Sequence, residues 1–362
     1  MSHKVVNAFH LPDVDFGEGL LEPLGAAMVS GVWLTEDGII ANAADADALI
    51  CSATHQPLSR RVMAALCRCR IIASVGIGYS QADVEAATEQ GIVVTNVPDY
   101  CLDEVSGRAI AFVLALGHKL LQLDRAVKEN QVCFLLEREA LKRTAHPIFR
   151  MRGQTLGIIG LGKIGVATAI KARGLGMSVI AYDPYVFDGV MESWGVEPVG
   201  LDTLLRESDF VSVHTPLTLE TRGMFGFEEF TKMKRTAYFI NVARGDCVDE
   251  AALVRALQEG LIAGAGLDVT AQEPLSADNP LLKMCNVILT GHSAAYSESA
   301  DPELWIKPMT QVVMALRGEW PQYVVNPLVK RKWLEKWSKR TDRDPIYSGA
   351  LTDALLRFQE IG

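Results

Sequence analysis

Short apolar runs at Ala48 to Ile50, Ile71 to Val75 and Ile92 to Thr95 alternate with amphipathic stretches such as Gln81 to Gln90. Runs of that length suit buried strands and the intervening stretches suit helices, so the rhythm predicts β–α–β units on a parallel sheet. From Glu104 to about Lys128 the pattern changes to one Ala/Leu/Val-rich segment without proline, which predicts a buried helix bridging two domains. Beyond Gly153 six further apolar runs follow, at about Leu156–Ile159, Val179–Tyr182, Phe210–His214, Tyr238–Asn241, Ala265–Asp268 and Val287–Leu289. Six strands suffice for a dinucleotide-binding sheet. Pro302 to Leu316 reads as another helix; if it crosses back, the first domain is assembled from both ends of the chain. In the remaining tail, Lys330, Arg331, Lys332, Lys336, Lys339, Arg340 and Arg343 surround Trp333 and Trp337, one helical turn apart. A surface helix resting its tryptophans on the body or on a second subunit is the expected form, with a basic contact to an anionic partner as the alternative.

Composition narrows the classes of function. The 362 residues are 49% hydrophobic and 22% charged, as in a folded globular protein long enough for two domains. With 44 acidic against 35 basic residues the net charge is −9, which disfavours binding to nucleic acid or to an anionic membrane. The seven cysteines are scattered, without the spacing of a disulfide framework or a zinc site, and point to reduced thiols in the cytoplasm with no metal. No apolar run approaches the length of a membrane span, and the start of the chain lacks the basic-then-apolar pattern of a signal peptide.

Gly160, Gly162 and Gly165 form a G-x-G-x-x-G directly after an apolar strand and before a helix at about Ile164 to Arg173. In that setting the first glycine permits the turn, the second lets backbone N–H groups approach a pyrophosphate, and the third packs helix on sheet. Asp183 ends the next strand, where a carboxylate binds ribose hydroxyls and repels a 2′-phosphate, so NAD is the expected cofactor rather than NADP. His214 ends a strand beside the same crevice, in a packing or hydrogen-bonding position.

Arg244, Glu273 and His292 fall after three successive strands, at the end of the sheet where open α/β folds bind their ligands. An arginine fork suits a carboxylate or keto oxygen, a histidine moves a proton at neutral pH, and a carboxylate orients that histidine. With Val94–Pro98, His214–Leu217 and Leu316–Glu319, these residues make the chain resemble the D-isomer-specific 2-hydroxyacid dehydrogenase family across about Ile71 to Pro327. Asp183–Gly189 and His292–Tyr296 look most like its branch of C-terminal-binding-protein corepressors and their bacterial relatives.

The resemblance implies an α/β protein of two doubly wound parallel-sheet domains: a Rossmann dinucleotide-binding domain at 104–299 and a flavodoxin-like substrate domain from 1–103 and 300–330, followed by a tail at 331–362. It implies hydride transfer between NAD(H) and a small 2-hydroxy or 2-keto acid, in a homodimer. Arg244, Glu273 and His292 are the implied catalytic set. Gly160, Gly162, Lys163, Ile164, Gly165, Asp183, His214, Thr215, Pro216, Thr221, Val242, Ala243 and Asp268 are implied to hold the cofactor, with Asp268 at the nicotinamide carboxamide. Val75, Gly76, Ile77, Gly78, Arg244, His292 and Tyr296 are implied to meet the substrate. Two positions depart from the pattern: Gly291 stands where the family usually has proline, and Ala295 where the corepressors carry tryptophan. An NAD-responsive binding scaffold with incidental turnover is the competing reading; the complete catalytic set, the acidic balance and the lack of long disordered arms favour the enzyme.

Overall fold

A computed structural model describes residues 3–130, 133, 135 and 137–338. The chain divides into two compact units, Met1–Tyr100 with the segment that begins at Ser297, and Cys101–Tyr296.

The first unit holds five parallel strands, β1 (Lys4–Asn7), β2 (Ala27–Ser30), β3 (Ala48–Cys51), β4 (Ile71–Ser74) and β5 (Val93–Thr95), in the order β2-β1-β3-β4-β5. β3, β4 and β5 are buried throughout, as expected of strands covered on both faces by helices. One face packs Leu49, Ile72 and Val94 against Ile39, Val62 and Ala86; the other packs Ile50, Ile71 and Val93 against Met309, Val312 and Leu316 of the helix Ala300–Arg317. The carboxyl-terminal segment thus returns to complete this unit. It also follows the β5 edge, where Asn326 accepts from Val94 N–H (2.8 Å) and donates to the Ile92 carbonyl (2.9 Å).

The basic segment is the expected helix with its tryptophans on the body, set deeper than a surface helix. Lys330–Trp337 is helical, but Trp333 is fully buried, donates from Nε1 to the Arg70 carbonyl (2.8 Å) and meets Trp320 edge-on at 5.5 Å. The start of the expected tail is therefore core of the first unit, with its cations on the outer face. Lys339, Arg340 and Arg343 lie outside the described residues.

The second unit holds seven parallel strands, β6 (Thr155–Ile159), β7 (Ser178–Tyr182), β8 (Glu197–Pro198), β9 (Phe210–Val213), β10 (Tyr238–Asn241), β11 (Gly264–Leu267) and β12 (Val287–Leu289), in the order β12-β11-β10-β9-β6-β7-β8. The order reverses at β6, which creates the crevice where doubly wound sheets bind dinucleotides. The six expected strands are joined by β8, two residues long and ending in a proline that an edge strand tolerates. The helix expected from Glu104 to Lys128 is two helices, Leu102–Gly117 and Leu120–Asn130. Lys119, between them, takes a left-handed φ of 52°, which interrupts the helix there. Rather than bridging units, Leu102–Gly117 buries Val105, Ala109 and Phe112 within the second one, against the helix Lys163–Gly174 and strands β10 and β11. Among the described residues no helix is long and apolar enough to cross a membrane.

Candidate active site

The glycine loop follows β6. Gly160 has a φ of 89°, and a Cβ there would meet Thr215 N and Cγ2 at 2.9 Å. At Gly165 a Cβ would lie 2.3 Å from the Gly160 carbonyl oxygen, so only glycine lets the helix Lys163–Gly174 start so close to the strand. Gly162, by contrast, faces open space within 4 Å, leaving its backbone free for a ligand. This is a cradle for a dinucleotide pyrophosphate at a helix N-terminus.

A cavity of about 660 Å³ opens beside it, large enough for a nucleotide-sized group, lined by Gly160, Gly162, Asp183, His214, Thr215, Pro216 and Thr221 among others. Lys163 and Ile164 open the helix, Val242 and Ala243 follow β10 as buried residues, and none of these four lines the cavity. Asp183 accepts from Leu161 N–H on Oδ2 (2.8 Å) and from Tyr185 N–H on Oδ1 (2.9 Å), so the glycine loop itself aims the carboxylate. His214 shares a proton between Nε2 and Ser212 Oγ (2.9 Å), and among the described residues its buried Nδ1 has no partner. Part of the residue is accessible, yet burial of the ring pushes its pKa down to about 4, which keeps the imidazole neutral near pH 7. A buried unpartnered nitrogen on the wall of this cavity fits a polar group of a bound cofactor.

Arg244, Glu273 and His292 follow β10, β11 and β12, three adjacent strands. Asn241 shapes the first turn, donating to the Arg244 carbonyl (2.9 Å) and accepting from Ala243 N–H (3.0 Å). Arg244 Nη1 donates to the Ala243 carbonyl (2.6 Å); among the described residues the guanidinium has no ion pair, so its charge is available to an anion. Glu273 and His292 are brought together, Oε2 to Nδ1 at 2.7 Å, with the two side chains 38% and 42% exposed. The other Glu273 oxygen accepts from Thr270 N–H (3.1 Å), which fixes the carboxylate.

Asp268 is only 3% exposed and holds the histidine loop. Its Oδ1 accepts from Thr290 Oγ1 (2.5 Å) and Ser293 N–H (3.1 Å), its Oδ2 from Ala294 N–H (3.0 Å), and its carbonyl from His292 N–H (2.5 Å). Arg108 Nη1 at 3.9 Å balances the charge. Sequence reading missed this clamp, together with Asn241; both act through backbone groups that no side-chain pattern announces. Tyr296 is exposed beyond the same loop. Val75, Gly76, Ile77 and Gly78 belong to the first unit, after β4, where Val97 N–H donates to the Gly76 carbonyl (2.9 Å) and Asn96 to that of Ile77 (2.8 Å).

A glycine cradle, an acid at the next strand end, a carboxylate-supported histidine and an arginine without an ion pair among the described residues, the last two after strands of the same sheet, define a dinucleotide-dependent oxidoreductase. The comparisons with known proteins carry this one step further. Residues 110–294 match the family model for the NAD binding domain of the D-isomer specific 2-hydroxyacid dehydrogenases. The chain is 40% identical over 292 residues to a glyoxylate reductase of Korarchaeum cryptofilum, covering 80% of this chain and 85% of that one. It is 37% identical to a D-3-phosphoglycerate dehydrogenase of Methanocaldococcus jannaschii, over 85% of this chain but 56% of the longer relative. A D-isomer specific 2-hydroxyacid dehydrogenase from Lactobacillus delbrueckii, solved as an NAD complex, superposes with a TM-score of 0.71 at 26% identity, covering 90% and 100% of the two chains. The protein belongs to the D-isomer-specific 2-hydroxyacid dehydrogenase family. It is an NAD-dependent enzyme of 2-hydroxy and 2-keto acids, and the scaffold reading gives way to that one.

Proposed function

We propose that the enzyme reduces a short 2-keto acid of the glyoxylate class, with His292 as proton donor, Glu273 as its support and Arg244 as the carboxylate anchor. The observation that carries this reading is the 2.7 Å bond between Glu273 and His292 Nδ1, which leaves Nε2 without a partner among the described residues. With Nδ1–H held by the carboxylate, Nε2 is the nitrogen that gains and loses the working proton. When bound, NADH supplies the hydride that reaches the keto carbon. His292 Nε2 gives its proton to the carbonyl oxygen in that direction and takes it back in the other, while Glu273 stabilises the imidazolium between turns. Arg244, with no competing carboxylate, grips the substrate carboxylate through its fork. In the cofactor set, Gly160, Gly162, Lys163, Ile164 and Gly165 serve the pyrophosphate, Asp183 the ribose, and His214, Thr215, Pro216, Thr221, Val242, Ala243 and Asp268 the remainder. Val75, Gly76, Ile77, Gly78 and Tyr296 are assigned to the substrate. A panel of keto acids of graded size, followed by NADH absorbance, tests the substrate class. His292→Ala should then lower kcat by about 10² to 10⁴ and Arg244→Ala should also raise KM, with NADH binding retained in both. Near-normal turnover by His292→Ala would sink the mechanism.

The same reading makes the enzyme a cytoplasmic homodimer without nucleic-acid or membrane partners. All seven cysteines are free, which suits a reducing compartment. Leu120, Leu121 and Val127 of one helix, with Ile148 and Phe149, are exposed apolar side chains of the second unit that a second copy could cover.

A further inference from the structure

The cavity that takes the adenosine half of the cofactor carries a second acid that the glycine-loop pattern does not announce. Asp183 and Tyr185 follow β7, Glu220 follows β9, and these are the two strands that flank β6. The Tyr185 hydroxyl donates to Glu220 Oε2, so the two loops are tied to each other across the front of the glycine turn. That hydrogen bond raises the Tyr185 pKa, keeping the phenol protonated and donating. Thr218 and Thr221 stiffen the Glu220 loop: Thr221 Oγ1 donates to the Pro216 carbonyl (2.6 Å) and accepts from Thr218 N–H (2.8 Å). Among the described residues no lysine or arginine lines the cavity, and His214 on its wall is neutral.

We propose that Glu220, aimed by Tyr185, is a second determinant of NAD over NADP, acting from the loop facing Asp183. The proposal rests on the assignment of this cavity to NAD and adds a residue to it. The two acids are not equivalent. Both Asp183 oxygens already hold backbone N–H groups, one of them in the glycine loop, so replacing Asp183 disturbs the pyrophosphate cradle as well as the charge. Among the described residues Glu220 makes no bond to that loop, and its carboxylate has one partner, a tyrosine 75% exposed at the mouth. Its carboxylate is thus a field on the ligand rather than a prop of the fold. A 2′-phosphate carries nearly two negative charges, and placing it between two carboxylates with no cation costs more than placing a hydroxyl there, where each acid is an acceptor.

The test is direct binding of NADH and NADPH, read by quenching of protein fluorescence, for the unmodified protein, Glu220→Gln and Tyr185→Phe. Glu220→Gln should cut the NADPH-to-NADH ratio of dissociation constants by about five- to tenfold, and Tyr185→Phe by about two- to threefold, because an unaimed carboxylate still repels. Raising salt from low to high concentration should shrink the gap between parent and Glu220→Gln, since the repulsion acts at an exposed mouth. A ratio unchanged in Glu220→Gln, or both cofactors weakened equally and without salt dependence, would overturn the proposal while leaving the NAD assignment intact. Equal affinity of the unmodified protein for NADH and NADPH would overturn both. Thermal melts of the variants check that each is folded when it is titrated.

Discussion

Replacing Asp268 by asparagine tests whether the active histidine depends on one buried carboxylate. The substitution keeps shape but turns one acceptor oxygen into an amide donor. In the better orientation the new oxygen keeps Thr290 and Ser293, and the amide then faces Ala294 N–H, which becomes a buried donor without an acceptor. That orphan costs about 2 kcal/mol, and loss of charge assistance in the two surviving bonds adds about 1 kcal/mol. Roughly 3 kcal/mol corresponds to a fall of about 6–12 °C in the melting of a unit this size. Because the loop also carries His292, kcat should drop about 10- to 100-fold, the usual effect of displacing a reacting group by an ångström. Hydrogen exchange gives the local readout: the amides of Ser293 and Ala294, protected by Asp268, should exchange faster while β11 keeps its protection. If Asp268→Asn melts within a degree of the parent and those amides exchange at the parental rate, the carboxylate is not the clamp.

Two further outcomes follow from the geometry. The His214 pKa of about 4 lies below the ordinary 6.5, so the unfolded chain binds a proton first, and its stabilising contribution is complete above about pH 6.5 and lost as pH falls toward 4. The loss amounts to about 3 kcal/mol, and His214→Asn should show a shallower fall of melting temperature between pH 7 and 4.5; parallel curves would contradict the assignment. For assembly, light scattering should give twice the chain mass of 39.5 kDa, and Leu121→Glu on the exposed helix should lower it; a concentration-independent single-chain mass in the parent would rule out the dimer.

What the sequence made legible follows from where the information is local. The buried strands β3 to β7 and β9 to β12 stand out because parallel strands covered on both faces are continuous apolar runs. β1 and β2 do not: Lys4–Asn7 is four residues with a charged end, and Ala27–Ser30 lies mostly exposed at the sheet edge. The depth of Trp333 is not legible locally, because cations dominate the pattern around it and its hydrogen-bond partner, the Arg70 carbonyl, lies 263 residues away. In the site, the glycines, Asp183, Arg244, Glu273 and His292 were readable because each sits at a fixed offset from a strand end. Glu220 was not, since its meaning depends on Tyr185, 35 residues earlier and on another strand's loop.

Gly291 joins the two levels. Proline usual at this position would fix φ near −65°, but here Gly291 has a φ of 56° and His292 a φ of 58°. A loop entered by proline cannot follow this path, so the departure seen in the sequence is a change of backbone route. The second of the two left-handed residues is the costly one, since histidine, unlike glycine, has a Cβ to accommodate there at about 1 kcal/mol. That cost is offset within the loop: His292 N–H donates to the Asp268 carbonyl, and the next two amides donate to the Asp268 carboxylate. Three consecutive amides bound to one buried residue hold the imidazole toward Glu273 in a conformation it would not keep alone. Glycine at 291 and aspartate at 268 are therefore one device, in which the first permits the turn and the second makes it rigid enough for proton transfer.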